Sequence, residues 1–189
     1  MDPPAGRIWR RRGRPLSCVP MKKFLIGLLL LAIAAAAIGF FLSGDYTVER
    51  SIVINAKPAD VHKLVGDLKR WEDWTPWKEA DPSVHVTLGD KTSGVGASQK
   101  WTSKDGAGSL IFTAADKDKG VEYDMTYGEW TSKGALRYEE VGKSTKVTWS
   151  MNGTVEMPVV GGYMALLMPQ MIGGQFDQGL QKLKRQVEK

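Results

Sequence analysis

Residues 49–77 read ERSIVINAKPADVHKLVGDLKRWEDWTPW, and this stretch decides the fold because its periodicity changes within it. It opens inside a strand-like segment, residues 46–55, where apolar side chains alternate with polar ones. Pro58 then suits the first turn of a short helix. Asp67 can cap a second short helix, which must end at Pro76. The stretch therefore predicts one strand followed by two short helices.

Downstream, short apolar runs are separated by turn-rich pieces such as GDKTSG, SKDGAG, DKDKG and TSKG. The runs predict six strands, at residues 84–88, 97–102, 109–115, 121–127, 135–141 and 144–152. Strands that follow one another at this hairpin spacing form an antiparallel meander. The order of elements then ends in a single long helix.

The closing helix is predicted from apolar residues that recur at steps of three to five. These residues are Tyr163, Leu167, Met171, Ile172, Phe176, Leu180, Leu183 and Val187. Pro169 interrupts the pattern, so the helix should kink there or its main run should begin there. The whole order predicts an α+β fold, in which a curved antiparallel sheet of about seven strands wraps around the C-terminal helix.

Upstream of this domain, one uncharged apolar run extends from Phe24 to Leu42. As a helix its nineteen residues would reach ~28 Å, enough to cross the hydrocarbon core of a bilayer. Lys22, Lys23 and the arginines before them mark that flank as cytoplasmic. We therefore expect a single-pass protein of the inner (cytoplasmic) membrane with its domain facing the periplasm or exterior. The alternative is a signal peptide cleaved near the alanines at 35–37, which would leave a secreted domain.

The net charge of +5 is distributed unevenly along the chain. Residues 1–42 carry seven Lys/Arg and one Asp, whereas residues 43–189 carry nineteen Lys/Arg and twenty Asp/Glu. A near-neutral domain lacks the basic surface that nucleic acid binding needs, so we expect no nucleic acid partner. Residues 1–20, rich in Pro and Arg, predict a disordered basic tail. Met21 opens MKKFLIGLLLL, which is typical of a translation start, so the anchor is assigned to residues 21–42 and the domain to residues 43–189.

Three pieces of the chain resemble the START/Bet v 1-like (SRPBCC) superfamily, in particular its bacterial polyketide cyclase/dehydrase-like branch. They are residues 49–77, with the pattern D-L-x-x-W-x-x-W-x-P-W, the strand STKVTWSMNG at 144–153, and the closing GLQKLKRQVEK. The resemblance covers residues 46–189 and implies a helix-grip fold with an apolar cavity. It leaves function open, because the superfamily includes lipid carriers, ligand receptors, chaperone activators and some enzymes.

Aromatic and methionine side chains on the inward faces of the strands and on the closing helix are the predicted wall of that cavity. The predicted ligand-binding residues are Trp77, Trp101, Phe112, Tyr123, Met125, Tyr127, Leu136, Trp149, Met151, Met168, Met171 and Phe176. Trp71 is expected instead to attach the short helices to the sheet. Trp77 has two interpretations, as a further attachment point or as a gate at the cavity mouth.

The chain has two histidines, His62 and His85, and one cysteine, Cys18, so no metal set is predicted. We predict no catalytic residue and no cofactor, and no oligomeric state is indicated. The expected function is a membrane-anchored binding protein for a hydrophobic or amphipathic small molecule or lipid. A cyclase/dehydratase-like or hydrolytic enzyme is one alternative and requires a buried pair such as Glu129 with a histidine. A chaperone-like interaction module is the other and requires a filled core with an exposed apolar patch.

Overall fold

The computed structural model describes residues 21–189, so the predicted basic tail lies outside the described residues. The chain divides into two compact units, Met1–Ala36 and Ala37–Lys189. The first described element, α1, is Met21–Phe41. Within residues 21–189 it is the one helix that is long and apolar enough to cross a membrane, a test that a signal sequence near the N-terminus also passes.

The second unit contains one antiparallel sheet of seven strands, in the order β1-β7-β6-β5-β4-β3-β2. The strands are β1 (Asp45–Ile54), β2 (His85–Leu88), β3 (Ser98–Ser103), β4 (Gly106–Asp116), β5 (Gly120–Tyr127), β6 (Trp130–Val141) and β7 (Ser144–Thr154). The six C-terminal strands follow one another as a meander, and β1 joins it by pairing with β7. The predicted α+β architecture with a seven-stranded antiparallel sheet is confirmed.

Strand β6 begins five residues before its predicted start, and the piece TSKG, predicted as a turn, lies inside it. The reversal occurs instead at Gly128, which has a φ of 59° between the paired residues Tyr127 and Trp130. Gly134, the glycine of TSKG, has a different role. A Cβ at this position would overlap the ring of Tyr123 on the neighbouring strand, so glycine lets that ring lie flat across β6.

Three short helical elements follow β1, namely α2 (Pro58–Val65), a 3₁₀ helix (Leu68–Asp73) and α3 (Trp77–Ala80). The predicted cap is present, because the Asp67 carboxylate accepts a hydrogen bond from the Lys69 backbone N–H at 3.0 Å. Trp71 is buried, and its indole N–H donates to the Val65 carbonyl oxygen at 2.8 Å. Trp71 therefore joins the short helices to the core, as expected.

The closing helix, α4 (Gly161–Val187), begins eight residues before Pro169 and continues through it. Proline lacks the N–H that would bond the carbonyl of the preceding turn. The guanidinium of Arg50, on β1, lies beside this turn and donates from Nη2 to the Pro169 carbonyl oxygen at 3.1 Å. Its Nε also pairs with the Asp177 carboxylate at 3.1 Å. Arg50 thus ties the interrupted turn of α4 to the sheet.

The apolar residues predicted to form one stripe on α4 form two stripes, which lie on different faces of the helix. From Ile172 onward the prediction is right, because Phe176, Leu180 and Leu183 are fully buried against the sheet. Before Ile172 it is wrong, because the residues at steps of four, Tyr163, Leu167 and Met171, are exposed. The step of one residue from 171 to 172 turns a helix by about 100°, which separates the two faces.

Gly179 lets α4 approach the sheet closely. Helix α4 packs mainly along β1, and a Cβ at Gly179 would lie 2.8 Å from Cζ3 of Trp149, which is closer than van der Waals contact allows. Gly174 lies one turn earlier on the exposed side of the same helix, and a Cβ there would meet no atom within 4 Å. Gly179 is therefore needed for the close packing of α4 on the sheet, whereas Gly174 is not.

We predict that Gly179→Ala lowers the free energy of unfolding by about 1–3 kcal/mol, because the added methyl group overpacks the core. Gly174→Ala is the matched control and should raise it by about 0.5–1 kcal/mol, because alanine is the better helix former. Urea unfolding followed by tryptophan fluorescence measures both changes. Equal effects of the two substitutions would contradict the close packing of α4 against Trp149.

Candidate functional site

A closed aromatic core occupies one part of the space between the sheet and the helices. Trp149 on β7 stacks on Phe176 of α4 with ring centroids 4.0 Å apart and an interplanar angle of 3°. The indole N–H of Trp149 donates to the Tyr123 hydroxyl oxygen at 2.9 Å. Trp74 contacts Trp149 edge to face from the 3₁₀ segment, at 5.3 Å. The Trp74 indole N–H donates to the Leu64 carbonyl oxygen at 3.4 Å, so both indole N–H groups of this core have acceptors within the chain and need no ligand.

Beside this core the inner face of the sheet opens into a cavity of about 440 Å³. Its wall is formed by β2, β3, β5 and β7, by the segment from α3 to β2, and by α4. The lining residues are Trp77, Ala80, Asp81, Val84, Val86, Gln99, Trp101, Ser103, Lys104, Asp105, Met125, Tyr127, Met151, Ile172, Gln175 and Phe176. The volume lies in the range of about 300–1,000 Å³ that is typical of small-molecule sites.

The structure brings half of the twelve predicted ligand-binding residues together around this cavity. These six are Trp77, Trp101, Met125, Tyr127, Met151 and Phe176. Four others, Phe112, Tyr123, Leu136 and Trp149, are at most 1% exposed and belong to the closed core. Met168 is buried on α4 away from the cavity wall, and Met171 is 58% exposed on the outer face of that helix.

Several lining residues were missed by the sequence analysis, and the alternation of the strands could have found two of them. Val86 pairs with Trp101, and Gln99 lies two residues before Trp101 on β3. Residues two apart on a strand face the same side, so the inward position of Trp101 predicts an inward Gln99. The prediction did not include Gln99, because a polar residue in a short strand of mixed composition is typical of a solvent-facing position.

Charged side chains are confined to one part of the cavity wall. Asp81, Lys104 and Asp105 are exposed or half-buried there, while the opposite wall is apolar. Hydrogen bonds from the hydroxyl and backbone N–H of Ser83 hold the pKa of Asp81 below its usual range, so this group is a carboxylate at neutral pH. The charged rim carries two carboxylates and one ammonium, so it disfavours an anionic ligand.

The groups considered for acid–base chemistry are not brought together. Among the described residues, no hydrogen bond or ion pair joins Glu129, His62 and His85, and no group of three His, Cys, Asp or Glu side chains has metal-binding geometry. His62 lies with Nδ1 3.4 Å from the Tyr138 hydroxyl, and burial lowers its pKa, which favours the neutral ring. Burial also raises the pKa of Tyr123 well above its usual range, so its hydroxyl keeps its proton.

A second hollow, of about 510 Å³, lies beside the ends of β5, β6 and β7. Its lining is mostly polar and charged, with Asp124, Glu129, Lys133 and Glu156 among its residues. It lacks the extended apolar wall of the first cavity. The cavity between β3 and α4 is therefore the candidate ligand site.

We predict that Tyr123→Phe lowers the free energy of unfolding by about 1–3 kcal/mol, because it leaves the buried N–H of Trp149 without an acceptor. It should leave the affinity for an apolar probe, N-phenyl-1-naphthylamine, unchanged within twofold, because Tyr123 lies outside the cavity. Tyr138→Phe is the control and should cost less, because the only described hydrogen bond of the Tyr138 hydroxyl is the long one to His62. A large change in probe affinity for Tyr123→Phe would show that the closed core is part of the binding site.

Comparison with solved structures places the domain in a known fold. The chain is similar to protein CV1439 from Chromobacterium violaceum, at a TM-score of 0.57 and 12% identity over 76% of this chain and 97% of that one. It is similar to the KanY protein, at 0.60 and 16% over 77% and 99%. It is also similar to norcoclaurine synthase of Thalictrum flavum, solved as a point mutant with a transition-state analogue, at 0.57 and 14% over 76% and 94%. At these identities the similarity establishes the fold alone.

No curated protein sequence matches this chain. A family model does, and it matches residues 45–188, which is the whole sheet together with α4. The match coincides with the helix-grip architecture and with the segment that resembled the superfamily in sequence. The chain belongs to the polyketide cyclase/dehydrase and lipid transport family.

Proposed function

We propose that this protein binds a hydrophobic or amphipathic small molecule or lipid in the cavity between the sheet and α4, while α1 holds it at a membrane. The observation that carries the proposal is the cavity itself. Its wall combines Trp77, Trp101, Met125 and Met151 with the middle of α4. Burying apolar ligand surface against such a wall supplies the binding free energy, at about 25 cal/mol per Å² removed from water.

The gate assigned to Trp77 fits its position. Trp77 begins α3, is half-buried, and contacts both Trp71 and Trp149 with ring centroids 5.8 and 6.2 Å away. It therefore lies at the boundary between the closed core and the cavity. Since α3 has four residues, a small displacement of this element would widen the cavity without disturbing the sheet.

We predict that Met125→Glu weakens binding of N-phenyl-1-naphthylamine at least tenfold, because a carboxylate in the apolar wall must be desolvated when the ligand enters. Glu122→Gln, on the exposed face of the same strand, is the matched control and should leave the affinity unchanged. Binding is measured by energy transfer from tryptophan to the probe, with the full-length protein in nanodiscs and the signal of empty nanodiscs subtracted. Undiminished binding in a folded Met125→Glu protein would defeat the assignment of this cavity.

Two features of the chain support a location at the membrane. Helix α1 has 21 residues and so extends ~32 Å, and it is apolar enough to cross a membrane. The helix ends at Phe41, and β1 begins at Asp45. If α1 stays attached, the domain is therefore held within a few residues of the bilayer surface. Lys22 and Lys23 favour the periplasmic or exterior side for the domain.

The exposed stripe of α4 gives the domain an apolar surface near this attachment point. The twenty residues 157–176 contain no charged side chain. Their exposed large apolar residues are Met157, Val160, Tyr163, Leu166, Leu167 and Met171. A Cβ on Gly162, at the start of α4, would overlap the side chain of Leu42, so this end of the helix lies where the chain enters the domain. An apolar stripe here is suited to lie in the interface of the bilayer.

We predict that a probe on this stripe enters the lipid interface. The full chain, with Cys18→Ser to remove its one cysteine, would carry Leu167→Cys labelled with the polarity-sensitive fluorophore NBD, in nanodiscs. We expect a blue-shifted emission that is quenched by doxyl-labelled lipids, because Leu167 then lies among acyl chains. Glu122→Cys, on the far face of the sheet, is the control and should show neither effect. Equal spectra and quenching at both positions would contradict membrane contact by α4.

A further inference from the structure

We infer that the ligand of this cavity is a neutral amphiphile, whose single hydrogen-bonding group, such as an amide, ester, ketone or alcohol, pairs with the side-chain amide of Gln99. The inference rests on the proposed function and specifies the class of molecule that the cavity takes. It stands on the burial of Gln99, on its lack of a partner, and on the charges around the cavity.

Gln99 lies in the apolar interior of the sheet. It pairs across β3 with Leu88 on β2 and with Leu110 on β4, and Trp101 follows it on the same face. Its side chain lines the cavity and only 3% of the residue is exposed. A primary amide has two N–H donors and one carbonyl acceptor, so burial at this site removes up to four hydrogen bonds to water.

Gln99 differs from other buried polar side chains in its lack of a hydrogen-bond partner. Thr75 and Thr145 each donate to a backbone carbonyl oxygen at 2.7 Å. Gln99 is the one buried residue with a primary amide among those that the structure describes, and its side chain has no hydrogen bond to any part of the described chain. Since no fully enclosed side-chain N or O atom lacks a partner, the Gln99 amide opens into the cavity.

Native proteins pair nearly all of their buried polar groups. The unpaired amide therefore indicates a group that is supplied from the cavity. The remaining polar atoms of the wall do not make the same demand, because Trp77, Trp101 and Tyr127 are half-buried and can reach water at the mouth. Gln99 is the one buried polar residue among those that line the cavity.

The chemistry of the amide and of its surroundings specifies the partner. A ligand group with an acceptor meets the Gln99 N–H groups, and one that also has a donor meets the carbonyl oxygen. A full charge is disfavoured at this depth, because Leu88, Leu110 and Trp101 offer no counter-charge. The rim adds two carboxylates, Asp81 and Asp105, against the single ammonium of Lys104. Anions such as free fatty acids are therefore the poorer ligands.

The test compares three probes with the same apolar body: 2-naphthamide, 2-methylnaphthalene and 2-naphthoate. Each displaces N-phenyl-1-naphthylamine from the full-length protein in nanodiscs, with empty nanodiscs subtracted. We expect 2-naphthamide to bind at least fivefold more tightly than 2-methylnaphthalene and at least tenfold more tightly than 2-naphthoate. Gln99→Met, which keeps the length of the side chain and removes the amide, should bring the amide and the hydrocarbon within twofold of each other.

Two controls separate the role of Gln99 from general effects. Gln178→Met alters a glutamine on the exposed face of α4, outside the cavity, and it should keep the wild-type preference. Gln99→Met should also raise the midpoint of thermal unfolding, because it replaces an unpaired buried amide by an apolar side chain. A lower midpoint would show that the amide is satisfied inside the protein and would overturn the inference.

The outcomes distinguish the two proposals. If all three probes bind wild type equally and Gln99→Met changes nothing, the cavity binds apolar molecules but Gln99 does not select them, and the inference fails alone. If 2-naphthoate binds best, the ligand is an anion and the inference is wrong. If no probe binds wild type, the proposed function fails and the inference fails with it.

Discussion

The structure depends most on the single side chain of Trp149. Its ring stacks on Phe176 of α4, and its N–H donates to the Tyr123 hydroxyl on β5. Trp74, the residue after the 3₁₀ helix, contacts the ring edge to face. One indole on β7 therefore fixes the height of the long helix and the position of the short helices above the sheet. Gly179 on α4 and Gly134 on β6 are consequences of this arrangement, because each removes a Cβ from the path of one of the packed rings.

The packing around Trp149 also explains why a cavity exists. Helix α4 lies along β1 and β7, near one edge of the sheet, and the large aromatic rings fill the space beneath it. Toward β2 and β3 the wall consists of side chains such as Val86 and Trp101, and the cavity lies between this wall and α4. A sheet that curves around a helix held at one edge leaves unfilled space at the other. The closed core and the cavity are thus two halves of one inner surface.

Most of the fold could be predicted from the sequence, because its signals are local. Alternating apolar residues and glycine-containing turns identified every strand, and Asp67 identified the start of the 3₁₀ helix, which ends at Asp73, before Pro76. Where the prediction failed, the reason was a distant contact. TSKG looked like a turn because Gly134 resembles a turn residue, while its actual partner is the Tyr123 ring on another strand. The two stripes of α4 were merged because periodicity does not show which stripe faces the sheet.

The candidate site was predictable only in part, for a related reason. Alternation identifies the residues that point inward, but filled core and cavity wall consist of the same residue types. Trp149 and Trp101 both occupy inward strand positions, yet one is fully buried in the core and the other lines the cavity. The difference depends on the position of α4 above them, which no local pattern contains. A rule based on aromatic and methionine side chains therefore selected both sets and did not include Gln99.

In a family whose members share a fold but not a function, a polar residue at an inward position carries more information about the ligand than the aromatic residues around it. Apolar walls admit many molecules, whereas a buried amide distinguishes those that can satisfy it from those that cannot.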